Sequence, residues 1–129
     1  MADSFPDAAR RHRSDAKHLA ANDRFQNAGH LLGFAAECLA KEVLQAAGIT
    51  IDKPSHLREH FPKLASEIRI QGRTRAMAML LPILERSAFL DGWEVECRYE
   101  ANILRSDAEA RYHSWQADVD SLFNAAGIP

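Results

Sequence analysis

Residues Asn27 to Ala47, NAGHLLGFAAECLAKEVLQAA, decide the fold. The stretch holds no proline, and an internal glycine such as Gly33 costs a helix only about 1 kcal/mol relative to alanine. Ala28, Leu31, Leu32, Ala35, Leu39, Val43 and Ala46 recur at helical spacing and make one continuous apolar stripe. The opposite side carries Phe34, Ala40 and Leu44, so the helix is apolar almost all round. Such a helix is packed by neighbours on several sides. One narrow polar seam interrupts it. Asn27, His30, Phe34, Glu37 and Lys41 step by three and four along one edge, and Glu37 and Lys41 are spaced to pair. The reading is a central rod with the other helices around it and a seam facing a partner or a cleft. Its start falls near Arg24 or Phe25, after the turn signal Asn22-Asp23, and Gly48 stops it.

Outward from the rod, the chain reads as helices joined by short breaks. Ser4 to Asn22 forms a first helix, with Ser4 as its cap, Pro6 in the first turn and Asp7 three residues after the cap. Ala9, Ala16, Leu19 and Ala20 give it an apolar edge, while Arg10, Arg11, His12, Arg13, Lys17 and His18 make it basic. Charge runs of this kind are more often solvated surface than RNA or phosphate contacts. After the loop Ile49 to Ser55, Leu57, Phe61, Leu64 and Ile68 mark a third helix capped by Ser55, in which Pro62 is either a kink or a break. Arg73 to Leu90 carries a further stripe of Ala76, Met77, Leu80, Leu81, Leu84 and Ala88, kinked at Pro82 and ended by Asp91-Gly92. Trp93 to Leu104 alternates like a strand at first, but with no second strand to pair with it is an irregular connection. Ser106 and Glu109 have the spacing of a capping box and open a last helix, whose apolar face is Tyr112, Trp115, Val119, Leu122 and Phe123 and whose stop is Gly127. The expected fold is all-α, an up-and-down bundle of four to five helices forming a single domain over residues 1–129.

Composition agrees. The chain has 129 residues, 47% of them hydrophobic and 26% charged, which suits one globular unit able to bury a core without disulfides. A net charge of −2 argues against broad nonspecific nucleic-acid binding but leaves room for a local basic patch. Cys38 and Cys97 have no close-spaced partner, so no zinc knuckle or disulfide framework is expected. No signal peptide is visible, and no apolar run reaches the ~18 residues of a membrane span. The expectation is a cytoplasmic protein without membrane contact.

Familiar catalytic motifs are missing. No P-loop, G-x-G-x-x-G or G-x-S-x-G sequence occurs. His56 and His60 have the spacing of two zinc ligands but lack a third, so no metal and no cofactor is expected. Arg and His remain. Arg13 and His18 have four residues between them, and Arg24 and His30 have five. At about 100° per residue, neither pair converges within one helix.

The order of a charged first helix, NAGHLLGFAAECLAKEVL, a loop to SHLREHFPKL, and a late Arg98-Tyr99-Glu100 before the final helix resembles the HEPN domains. These are small bacterial and archaeal helical proteins found beside nucleotidyltransferases. The resemblance covers nearly the whole chain, and its more specific parts are the Glu37-x-x-x-Lys41 pair and the Arg98-Tyr99 dipeptide. It implies a homodimer with a role in toxin–antitoxin, defence or nucleotide-transfer systems. Ribonuclease members carry an Arg and a His four to six residues apart near the start of the late helix, the Arg on the phosphate and the His as acid or base. This chain departs from that pattern, because the next His after Arg98 is His113. The Arg-Tyr dipeptide is similar to the other branch, a noncatalytic partner or substrate-binding module of a nucleotidyltransferase. The resemblance therefore implies nucleotide or RNA as ligand and a nucleotidyltransferase as partner protein. The expected binding residues are Asn27, His30, Glu37, Lys41, Arg98 and Tyr99, with Arg98 pairing the buried Glu37. The alternative is a metal-independent ribonuclease drawing on Arg98, His113 or the Arg13/His18 cluster.

Overall fold

The computed structural model describes residues 4–49, 63–71, 74–93 and 103–128. Among them are five helices and no strand: α1 (Phe5–Ala21), α2 (Phe25–Ala46), α3 (Lys63–Gln71), α4 (Arg75–Leu84) and α5 (Arg105–Ala126). The fold is an all-α bundle. α2 is its axis, packed against α1, α3, α4 and α5. Leu32, Leu39, Ala40 and Leu44 of α2 are each at most 1% exposed although they point to different sides, so the all-round apolar pattern does mark a rod enclosed by neighbours. Val119, Leu122 and Phe123 of α5, Leu80 of α4 and Ile68 of α3 close the core around it. No helix among the described residues is long and apolar enough to cross a membrane.

α1 and α2 form an antiparallel hairpin through a tight turn. The Asp23 amide donates to the Ala20 carbonyl at 3.1 Å and the Arg24 amide to the Leu19 carbonyl at 2.8 Å. These two bonds satisfy the last carbonyls of α1 and require a left-handed residue between them, which is Asp23 at φ 61°. The other end of α2 closes in the same way: Gly48, at φ 87°, donates to Gln45, and Ile49 donates to Leu44. α5 runs alongside α2 in the same direction, with Tyr112 on Phe25 and Trp115 over Gly29.

Three expected helix ends differ. The Ser4 hydroxyl donates to the Asp7 carboxylate at 2.7 Å and caps no backbone amide. The helix expected over Arg73 to Leu90 is shorter, running from Arg75 to Leu84, and gives way to turns over residues 85–92. Pro82 removes a hydrogen bond from its last turn, and Leu90 then adopts φ 47°, a conformation that no helix can contain. Its start is set by Thr74, whose hydroxyl accepts from the Met77 amide at 3.2 Å. The Ser106–Glu109 capping box does not form. α5 begins at Arg105 behind an extended Leu104, which leaves Ser106 already inside the helix, and no side chain caps it. The expected start of the third helix at Ser55 lies outside the described residues. α3 as described opens directly after Pro62.

The turns after α4 are tied to α5 by one carboxylate. Asp118 accepts from the Leu90 amide at 2.9 Å and from the Arg86 guanidinium at 3.1 Å. Replacing it by alanine strands the partly buried Leu90 amide, at a cost of about 2 kcal/mol. Arg86 is half exposed and adds little to that. Urea denaturation of Asp118→Ala beside Asp118→Asn checks this, with the asparagine variant expected to lose markedly less because it can still accept from Leu90.

Candidate functional site

A cavity opens where the α1–α2 turn meets the start of α5. It holds about 630 Å³ and is lined by Leu19, Asp23, Arg24, Phe25, Gln26, Asn27, His30, Ile103, Arg105 and Ala108. Its position follows from the turn: with Asp23 left-handed, Arg24 caps α2 and the next two turns of α2 present Asn27 and His30 to the same cleft. The far wall is the uncapped first turn of α5, where Arg105 lies beside Asp23 at 2.8 Å and over the Phe25 ring at 5.5 Å. Two guanidinium groups, two carboxamides and an imidazole therefore surround one cleft. Asp23 is the sole carboxylate among the lining residues.

The seam divides at this point. Asn27 and His30 line the cleft. Glu37 and Lys41 do not. They lie two to three turns further along α2, Glu37 at 2% exposure and Lys41 half-buried, where their opposed charges act on the Cys38 thiol. Burial pushes that thiol above its ordinary value, so Cys38 is a packing residue and no activated nucleophile. Arg98 and Tyr99, and with them the expected Glu37–Arg98 pair, lie outside the described residues, as do His56, His60 and Cys97.

The pair Arg24 and His30 corrects an expectation. Ideal helix geometry sets their side chains about 120° apart. Arg24, however, has φ −93° and ψ 55° and stands outside the helix, so the rotation rule does not reach it. Both residues line the same cleft. The pair Arg13 and His18 does not come together in a site: Arg13 turns to α5, 3.6 Å from Asp120 and 4.1 Å over the Phe123 ring, and His18 is exposed. His113 is exposed, 3.8 Å from Glu109 with its ring 6.2 Å from that of Phe25, and does not line the cleft.

His30 forms the floor of the cleft and the edge of an aromatic group. Its ring lies 5.8 Å from Trp93 in a stacked arrangement and 4.7 Å from Phe34 edge-on. The Trp93 indole N–H donates to the His30 carbonyl at 3.2 Å. The approach depends on Gly33, since a Cβ there would lie 1.8 Å from the Trp93 ring. Gly29 makes a shallower notch for Trp115, whose ring carbons a Cβ would meet at 2.9 Å. A glycine every fourth residue on the rod thus admits two indoles, one from the turns after α4 and one from α5. Sequence reading missed both notches, and missed Arg105 as a cleft residue. The signal available for the notches was the pairing of two glycines four apart with two tryptophans elsewhere in the chain.

His12 of α1 packs against the other side of Phe34, at 5.9 Å. Partial burial, and secondarily the neighbouring Arg11 charge, hold its imidazole below the ordinary value of 6.5, with Asp15 opposing. The unfolded chain then binds this proton more tightly than the folded one. Stability is full above pH 6.5 and declines as the pH falls from 6.5 toward the lower folded value. Thermal melts between pH 5 and 8 are expected to show a flatter acid limb for His12→Gln than for the parent.

Among the described residues no group of three His, Cys, Asp or Glu side chains assembles in metal-binding geometry. What the cleft offers is anion recognition: guanidinium groups for a phosphate or carboxylate, carboxamides for a polar edge, and Phe25 for a flat apolar surface. Comparison with protein-family models, with curated proteins and with solved structures finds no match for this chain.

Proposed function

We propose that the chain is a noncatalytic HEPN-like helical module, the partner or substrate-binding subunit of a nucleotidyltransferase or of a toxin–antitoxin or defence system. In this reading it acts in the cytoplasm as a homodimer and takes a nucleotide-bearing ligand in the cleft. The observation that carries the reading is the joint presence of Arg24, Asn27, His30 and Arg105 around one space of about 630 Å³. Small-ligand sites commonly hold roughly 300–1,000 Å³, so a nucleotide fits by size. Arg24 has no carboxylate partner among the described residues, so its guanidinium is available for a phosphate. The assignment to this family rests on the sequence resemblance, including Arg98-Tyr99.

One observation favours the second reading, a metal-independent ribonuclease: Arg24 and His30, with five residues between them, share the cleft. Burial weighs against it. A general acid or base must reach the reacting oxygen, and His30 is 7% exposed, with its imidazole packed against Trp93 and Phe34. A single experiment separates the two. The purified protein is incubated with total and transfer RNA in the presence of chelator, beside His30→Ala and His113→Ala variants, while ATP binding is followed by calorimetry. The expected result is ATP binding without RNA cleavage. Cleavage that survives chelation and is lost in His30→Ala or His113→Ala would replace this reading by the ribonuclease one.

A further inference from the structure

The cleft contains its own competitor for an anion. Asp23 Oδ1 lies 2.8 Å from Arg105 Nη2, and both residues line the cavity. The contact joins the α1–α2 turn to the first residue of α5 across the mouth of the cleft. Asp23 also stands in an unusual place. It takes a left-handed position, φ 61°, at the end of α1, where glycine or asparagine is the common choice because neither brings a charge or much strain. Aspartate tolerates this conformation as asparagine does, so the turn admits the carboxylate but does not require it. Both side chains of the pair are about two-thirds exposed, so it is weak enough for a ligand to displace.

We propose that Asp23 is an autoinhibitory latch: it occupies the phosphate-binding face of Arg105 and must be displaced when a phosphate-bearing ligand enters the cleft. This inference rests on the reading of the cleft as a nucleotide site. In the latched state Arg24 is the first cation a phosphate meets. Arg105 joins only after it exchanges the Asp23 carboxylate for the ligand, and the displaced carboxylate then repels the bound anion. Affinity is thereby held down, and the ligand is drawn toward contacts that separate it from Asp23.

The test is calorimetric titration of wild type, Asp23→Asn, Arg105→Met and the double variant with inorganic pyrophosphate and with ATP, in low salt. Asparagine is well tolerated in the left-handed conformation, so Asp23→Asn preserves the turn, and matching thermal melts confirm it. The expected result is a gain of roughly three- to tenfold in affinity for both probes in Asp23→Asn, the size of one exposed charge effect. That gain should vanish in the Arg105→Met background. Unchanged or weaker binding by Asp23→Asn, with wild type binding both probes, would overturn the latch and leave the nucleotide reading standing. A gain that persists without Arg105 would also overturn it, since Asp23 would then act only by general repulsion. Tighter pyrophosphate binding with no ATP binding by any variant would keep the latch and remove the nucleotide. Binding of neither probe by any variant would overturn both.

Discussion

The Gly33→Val variant is expected to lose about 3 kcal/mol or more of stability, and with it the native environment of Trp93. On helix propensity alone, replacing a glycine in the middle of a 22-residue helix should help, because glycine costs about 1 kcal/mol there. The packing term is larger and opposite. A Cβ at position 33 would sit 1.8 Å from Trp93 Cε2 and 2.2 Å from its neighbours, inside any possible contact distance. The indole must leave, since the backbone of a helix enclosed on several sides has no room to yield. Overpacking in a tight core costs about 1–3 kcal/mol even when neighbours adjust. Here the displaced ring also loses its hydrogen bond to the His30 carbonyl and its contacts with His30 and Phe34. Urea denaturation followed by tryptophan emission checks this. Gly33→Val alone should unfold early with a shifted native emission, and pairing it with Trp93→Leu should recover part of the loss. Wild-type stability in the single variant would mean that Trp93 does not occupy the notch.

The second large effect concerns binding. Arg24→Met and Arg105→Met are each expected to weaken ATP binding by about tenfold to a hundredfold, the range of one charge-assisted hydrogen bond to phosphate. Arg24 should show the larger loss, because Arg105 spends part of its interaction on Asp23 in the free protein. Both residues are exposed on the rim of the cleft, so the fold does not depend on them. Calorimetry reads the affinity, and unchanged melting temperatures show that the loss lies in the site. Equal affinity in wild type and both variants would place any nucleotide elsewhere.

Much of the scaffold was legible because its signals are local and periodic. The stripes of Ala28, Leu32, Ala35, Leu39 and Val43 and of Trp115, Val119 and Phe123 repeat at helical spacing, and Gly48 and Gly127 stop their helices in the left-handed conformation expected of them. Asn27 and His30 were legible as a polar break in an apolar rod, and both reach the cleft. The misses have a different character. The Ser106–Glu109 spacing suited a cap, but the extended Leu104 starts the helix two residues earlier. The end of the fourth helix depended on Pro82 acting in concert with the tie from Asp118 to Leu90, 28 positions away. Arg105 could not be joined to Asp23 from sequence, because 82 positions separate them and no period links them. The Gly33 notch is of the same kind. Its reason is the Trp93 indole, and a glycine read by itself shows only a small cost in helix propensity.

The most direct test of the cleft as the ligand site is the amide spectrum of the ¹⁵N-labelled protein titrated with ATP. Shifts are expected to cluster at Arg24, Asn27, Ala28, Arg105 and Ser106, together with the Trp93 indole N–H behind His30. Shifts confined to the basic face of α1, at Arg10, Arg13 and Lys17, would contradict it.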